Sequence, residues 1–262
     1  MSAVILVLVG AVSGVTTAMF GFGGGFVAVP VLTWADAYLG GDAPRAAVAT
    51  SSVLMVVAAA VATASTRRAV LSELRGSGRL LGLLAVGGAA GAVVARHVPG
   101  GAIAVGFVAY LVVTIVSVTV RPGFVRPDGD DAPPIPSAAG LPIGAVAAVL
   151  GVGGSVLTVP MMRRNGHRMD VAAALANPLT LAVALPATTV FLLWSGGRPA
   201  GAGFGFLGAV DLRAAGALML GSLPVIVLVR RRTPRLSDVA HARWYVGLLV
   251  VVTIAMAATL VR

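Results

Sequence analysis

Apolar residues along this chain gather into runs at 3–21, 25–35, 46–66, 80–95, 101–120, 138–162, 171–194, 212–229 and 244–261, separated by short polar gaps. A helix crosses the hydrocarbon core with about 20 apolar residues. The pattern therefore predicts an all-α polytopic membrane protein. One gap is long: Arg121 to Ser137, reading RPGFVRPDGDDAPPIPS. Its prolines and aspartates do not belong in lipid and mark a linker. It divides the chain into a first membrane repeat, 1–120, and a second, 138–262, joined by the linker 121–137.

The two parts share a motif. Gly14 to Pro30 reads GVTTAMFGFGGGFVAVP, and Gly144 to Pro160 reads GAVAAVLGVGGSVLTVP. Aligned without a gap, Gly14, Ala18, Gly21, Gly23, Gly24, Val29 and Pro30 each meet an identical residue. Glycine is a poor helix former, so a helix is expected to break across Gly21, Gly23, Gly24 and Gly25 and to restart near Phe26. The restart leaves first-turn N–H groups without intrahelical partners, at the positive end of a helix dipole, which suits an anion. Pro30 has no N–H, so the carbonyl of Phe26 loses its helical donor. Gly151, Gly153, Gly154 and Pro160 repeat the arrangement, with Ser155 adding a hydroxyl in place of a glycine. Irregular backbone at membrane depth survives only inside protein or beside water. Its occurrence at matching places in two repeats points to a transporter binding site. On this reading any side chain at Gly24 or Gly154 obstructs the site. Isolated pairs such as Gly10-x-x-x-Gly14 and Gly87-x-x-x-Gly91 read instead as close helix packing.

Composition agrees with the pattern. Hydrophobic types make up 58% of the 262 residues and charged types only 11%, against roughly a quarter charged in a soluble domain. Met1 to Phe20 has no basic leader and reads as a membrane segment rather than a cleaved signal peptide. The net charge is +10, and all 19 basic residues are arginines, mostly in the gaps between runs. That is the pattern of membrane loops and not the footprint of a nucleic-acid binder. If each half held four simple spans, the arginines would divide 10 to 9. If each glycine segment returns to its own side, 14 fall on one side and 5 on the other. The positive-inside rule selects the second arrangement. It gives two inverted repeats, each a glycine-rich broken or re-entrant helix followed by three transmembrane helices. Both termini then lie outside and the linker inside.

These features resemble the TauE/SafE family of sulfite and organosulfonate permeases. The carrying residues are Gly21-Phe-Gly-Gly-Gly-Phe-Val-Ala-Val-Pro30 and Gly151-Val-Gly-Gly-Ser-Val-Leu-Thr-Val-Pro160. Arg45 to Ser52, RAAVATSS, resembles the small-residue segment with a Thr-Ser pair that follows the family's first motif. Asp211 to Arg232 resembles its later small-residue helix, with Gly216 and Gly221. In the second half Leu175-Ala176-Asn177-Pro178 stands where a second Thr-Ser pair is expected. The resemblance implies a multi-pass protein of a prokaryotic plasma membrane that moves small, often sulfur-containing anions by alternating access. A carboxylate permease and a non-transporting scaffold are the other readings.

Few polar side chains are available for such a site. No Asp, Glu or Arg lies well inside 46–66, 101–120, 171–194 or 244–261. His97, His167 and His241 stand at run ends, without metal-ligand spacing. An anion site must therefore use backbone N–H groups and neutral donors, and Thr50, Ser51, Ser52, Asn177 and Thr180 are the candidates beside the breaks. Their competing role is bonding to the preceding helical turn. No acid–base pair, nucleophile or metal cluster stands out, so neither an enzyme nor a cofactor is expected. Gly203-Phe-Gly-Phe-Leu-Gly208 matches a dinucleotide fingerprint but lacks a preceding strand and a βαβ unit. Trp34, Trp194 and Trp244 read as interfacial anchors. The expected partners are a small anionic substrate and the lipid bilayer, with a homodimer possible and no nucleic acid.

Overall fold

The computed structural model describes residues 2–121, 123–125, 135–193, 199, 201–232 and 236–261. Trp194, Arg126, Arg198, Arg235, Arg262 and most of the linker lie outside them. The first part comprises α1 (Ala3–Phe20), α2 (Gly25–Ala35), α3 (Ala43–Ala64), a single turn α4 (Arg68–Leu71), α5 (Gly78–Ala95) and α6 (Gly100–Val120). The second comprises α7 (Gly140–Leu150), α8 (Ser155–Arg164), α9 (Met169–Leu193), α10 (Leu212–Arg232) and α11 (Asp238–Leu260). The sheet among the described residues is one antiparallel ribbon, β1 (Phe206–Leu207) with β2 (Val210–Asp211). It occupies the Gly203–Gly208 segment, so that glycine pattern belongs to a hairpin. Helices α1, α3, α5, α6, α9, α10 and α11 are long and apolar enough to cross a membrane.

Between apolar helices in lipid there is little hydrophobic drive, so close approach through small residues does the packing. Helix α1 lies along α10: a Cβ at Gly10 or Gly14 would collide with the backbone carbonyl of Leu218 or Ser222, and one at Gly221 with that of Val7. Helix α7 lies along α5 in the same manner. Cβ atoms at Gly87 and Gly91 would strike the carbonyls of Leu141 and Ala145, and one at Gly144 that of Leu84. In both pairs the contacts advance together along the two chains, so each pair runs parallel. The G-x-x-x-G spacings are packing devices. The opposite faces stay apolar and uncovered, for example Val4, Leu8 and Val12 on α1 and Val105, Val112 and Val116 on α6. Such stripes at helical spacing fit lipid. Trp34 and Trp244 are exposed near helix ends.

The glycine segments are chain reversals. Helix α1 ends at Gly21, and α2 returns along it. Ser13 Oγ donates to the Gly24 carbonyl at 2.6 Å. Farther back, Ile5 and Val9 of α1 share one groove with Pro30, Val31 and Trp34 of α2. Helices α7 and α8 make the second reversal. Gly140, where α7 starts, touches Leu80 near the start of α5. Arg164, where α8 ends, donates from Nη2 to the Ser117 carbonyl near the end of α6 at 2.9 Å. Sequential helices α5 and α6 put those two points on one side. Between the two hairpins, α3 packs against α9, and α6 packs against α11.

Candidate functional site

The hairpin tips meet at the centre of the molecule. Gly21 caps α1 with φ 76° and donates its N–H to the Thr17 carbonyl. Gly23 and Gly24 follow at φ 65° and 88°. These left-handed angles carry little penalty only for glycine. Gly151, φ 68°, caps α7 in the same way through the Ala147 carbonyl, and Gly153 has φ 67°. Each tip leans on a long helix of the other part. Gly21 abuts Ala173 and Ala176 of α9, while Gly151 abuts Val48 and Ser51 of α3. Gly25, the first residue of α2, leaves so little room that a Cβ would lie 2.6 Å from Met55 Sδ and 2.9 Å from the Gly151 carbonyl oxygen.

Two side chains occupy the space between the tips. A Cβ on Gly23 would stand 2.5 Å from Thr180 Cγ2, and one on Gly153 2.7 Å from the same methyl. Met55 Sδ would be 3.3 Å from a Cβ at Gly153. Thr180 of α9 and Met55 of α3 thus touch both breaks. Gly154 departs from expectation. Its φ of −73° is open to any residue, and an added Cβ would make an ordinary 3.6 Å contact with Val183 Cγ2. A small side chain there does not obstruct the tip. Gly24, in contrast, is held to glycine by its backbone.

The polar inventory is uneven. Among the described residues, the N–H groups of Gly23, Gly24, Gly153 and Gly154 meet no hydrogen-bond acceptor. Ser155, Thr158, Asn177 and Thr180 are all fully buried. Ser155 Oγ, Thr158 Oγ1, Asn177 Oδ1 and Thr180 Oγ1 have no partner among the described residues. Asn177 spends its Nδ2 on the Ala173 carbonyl, at 3.1 Å. Buried polar groups are normally paired, so these four orphaned oxygens, two on the first turn of α8 and two set three residues apart on α9, are exceptions.

The first part's three candidate hydroxyls are engaged instead. Thr50 Oγ1 accepts the Asp211 N–H at 2.9 Å and thereby fastens the β ribbon to α3. Ser51 and Ser52 donate to the Val48 and Ala49 carbonyls at 2.9 and 2.7 Å. The sequence reading missed Thr158. Its signal was available, because Ser155 and Thr158 stand three apart on one face of α8, where α2 has Gly25 and Ala28.

An aromatic column braces the tips. Phe22 stacks on Phe26 at 4.3 Å and on Tyr245 of α11 at 5.1 Å between ring centroids. Tyr245 Oη donates to the Val156 carbonyl at 3.1 Å. That carbonyl is the one whose helical donor Pro160 removes. The proline thus exposes an acceptor, and one tyrosine joins the first break to the second. Beyond it, Arg163 is completely buried. Its Nε, Nη1 and Nη2 donate to the carbonyls of Phe124, His167 and Val125 at 3.0, 3.0 and 3.1 Å, and Nη1 pairs with Asp238 at 2.8 Å. This clip fastens the start of the linker to α8 and α11.

Charge stays near the helix ends. His97 bonds the Val93 carbonyl, and His167 faces Glu73 at 3.2 Å. His241 is more enclosed than a run-end position suggests: its Nε2 donates to the Met19 carbonyl at 2.8 Å, just ahead of the first break. On the opposite side Asp36, in the turn after α2, is buried with an unpaired Oδ2. Burial, helped by the Asp211 charge, pushes its carboxyl up to about 6. No cluster of His, Cys, Asp and Glu able to hold a metal occurs among the described residues. Comparison with curated proteins and with solved structures gives no match. The profile of the family described as “Sulfite exporter TauE/SafE” matches residues 6–256.

Proposed function

The chain belongs to the TauE/SafE sulfite exporter family of multi-pass membrane transporters, and on that premise we propose that it carries a small oxyanion, of the sulfite or organosulfonate class, through a site between the two hairpin tips. The observation that carries this reading is the meeting of two glycine breaks with unpaired N–H groups at the fully buried Thr180, with further unpaired buried oxygens on Ser155 and Thr158 of α8 and on Asn177 of α9. Backbone N–H groups at helix starts and neutral hydroxyls stabilise an oxyanion without a fixed counter-charge. Gly21, Gly23, Gly24, Gly25, Gly151, Gly153 and Gly154 supply the close backbone approach. Ser155, Thr158 and Thr180 supply hydroxyls, and Asn177 Oδ1 accepts a hydrogen bond from water or from a protonated substrate. Thr50, Ser51 and Ser52 shape the opposite wall.

The architecture assigned to this function is two inverted repeats, 1–120 and 138–262, with a linker at 121–137. The reciprocal packing supports it, since α1 of one repeat lies along α10 of the other while α7 lies along α5. So does the way Gly21 meets Ala173 and Ala176 while Gly151 meets Val48 and Ser51. The same spacing matches Ser52 with Asn177 and Met55 with Thr180. The hairpins then enter from opposite faces, and rocking of one repeat against the other exposes the tips alternately. With Met55 and Thr180 between the tips, opening either side requires α3 and α9 to separate there.

The test is flux of radiolabelled sulfite in proteoliposomes, with thiosulfate, sulfoacetate, taurine and simple carboxylates as competitors. Sulfite flux, lost in Gly23→Leu protein that remains monodisperse, is the expected result. Flux of carboxylates alone overturns the substrate class, and sulfite flux unchanged in Gly23→Leu moves the site elsewhere.

A further inference from the structure

A second feature lies between the first break and the arginine-rich face. A cavity of about 480 Å³ opens there, lined by Met19, Arg168, Asp170, Arg230, Asp238 and His241. Its size is in the range of small-ligand pockets. Met19 is two residues before Gly21, and its carbonyl is held by His241 at 2.8 Å, so the cavity ends next to the hairpin tip.

The charges around it are not equally matched. Asp238 pairs with Arg163 at 2.8 Å and also accepts the Met169 N–H at 2.7 Å. Asp170 pairs with Arg168 at 3.3 Å. Arg230 has no carboxylate partner among the described residues. One of its donors, Nη1, reaches Thr66 Oγ1 at a long 3.4 Å. Its Nε and Nη2 are buried and have no acceptor among the described residues. A guanidinium carries five N–H donors in a fork that matches an oxyanion. Arg230 lines a polar cavity while two adjacent donors on its fork lie just behind the cavity surface without acceptors, so a turn of the guanidinium toward the cavity would give them an oxygen-bearing ligand.

We propose that this cavity is a second oxyanion site, in which Arg230 turns its unpaired fork outward and holds the substrate anion before it reaches, or after it leaves, the hairpin tips. Resting on the transport reading above, it assigns to Arg230 a capture role that the neutral central site does not perform. A fixed positive charge in a cleft with low-dielectric walls raises the local concentration of anions.

The absence of cysteine makes a local test direct. Leu236 lines the same cavity and is partly exposed, so Leu236→Cys places one thiol there. The purified protein in detergent is treated with an anionic or a cationic methanethiosulfonate, with and without sulfate as an inert oxyanion. The anionic reagent is expected to react faster than the cationic one, and sulfate to slow it in a saturable manner. Arg230→Gln should raise the sulfate concentration needed for protection about tenfold or more, the effect of losing a charged hydrogen bond. Arg230→Lys should fall between the two, because it keeps the charge and loses the fork. Arg231→Gln, which removes the same charge one residue along, should leave protection intact. Absence of saturable protection overturns the proposal, and so does equal protection in Arg230→Gln or equal loss in Arg231→Gln. Protection that depends on Arg230 in a protein without sulfite flux removes the transport reading and leaves this site standing. Flux without protection does the reverse.

Discussion

Alanine at Gly23 and alanine at Gly154 are the same chemical change, one in each of the two breaks, yet the structure gives them different costs. At Gly23 the backbone is left-handed, φ 65°, which costs a non-glycine residue about 1–2 kcal/mol. The new Cβ also lies 2.5 Å from Thr180 Cγ2, and overpacking of this kind costs about 1–3 kcal/mol. Together these give about 2–5 kcal/mol. At Gly154 neither cost applies, because φ is −73° and the nearest atom is 3.6 Å away. What remains is exchange of one N-cap residue for a poorer one, about 1 kcal/mol or less. Thr180→Ser deletes the obstructing methyl, so combined with Gly23→Ala it should return the packing part and leave the backbone part. The assay is apparent unfolding temperature in detergent for the four proteins, with sulfite binding measured on each that remains monodisperse. Gly154→Ala should stay near the parent in both. Destabilisation of Gly154→Ala matching that of Gly23→Ala, or no recovery in the Gly23→Ala/Thr180→Ser double variant, refutes the account of the tips.

Arg163→Met should cost about 3–5 kcal/mol, since it strands Asp238 and three carbonyls together; unfolding in detergent measures it, and Arg163→Lys should recover only part, having one ammonium for four acceptors. Tyr245→Phe keeps the stack on Phe22 but leaves the Val156 carbonyl unpaired, so a loss of about 1–3 kcal/mol is expected, read by the same assay. The Asp36 carboxyl is raised to about 6 by burial and by the Asp211 charge, so the folded state binds the extra proton. Its contribution to stability is present near pH 4 and is lost as pH rises through about 6; a melting series over that window should flatten in Asp36→Asn. Cysteine at Ser2 and at Ser137, probed with an impermeant reagent in sealed vesicles, should label from opposite sides, and labelling from one side refutes the inverted arrangement.

Much of this architecture was written in the pattern of apolar runs, because a helix in lipid must satisfy its own backbone and bury little else. The Gly21–Gly25 and Gly151–Gly154 breaks were legible for the same reason: glycines duplicated between apolar stretches have few other uses at that depth. Partner choice was not legible. The spacing of Gly10, Gly14, Gly87 and Gly91 announces close packing without saying that α1 takes α10 and α7 takes α5. The distinction between Gly24 and Gly154 depends on backbone angles that identical residues do not reveal. Hydroxyl roles were equally hidden. Thr50, Ser51 and Ser52 look like the richer donor set, but each is engaged in the fold, whereas the sparser Ser155, Thr158, Asn177 and Thr180 keep oxygens unpaired. Tyr245 gave no sign at all, since its partner carbonyl is freed by a proline 85 residues earlier.

The separation of charge from the centre has a physical consequence for anion passage. An arginine buried at the tips would bind an oxyanion strongly in a low-dielectric setting, and release would then limit transport. Here the described guanidinium groups stand near the ends of helices and away from the tips, and the fully buried Arg163 is neutralised by Asp238. The tips offer only N–H dipoles and hydroxyls, whose attraction is short-ranged and weaker than that of a full charge. Binding favourable enough to enter and weak enough to leave is the requirement for movement across a membrane. On the proposed reading, Arg230 attracts the anion at the cavity and the neutral tips hold it without a fixed charge. On this division of labour, raising the affinity of the centre with a cation is expected to tighten binding and slow flux, and removing Arg230 to weaken capture without closing the path.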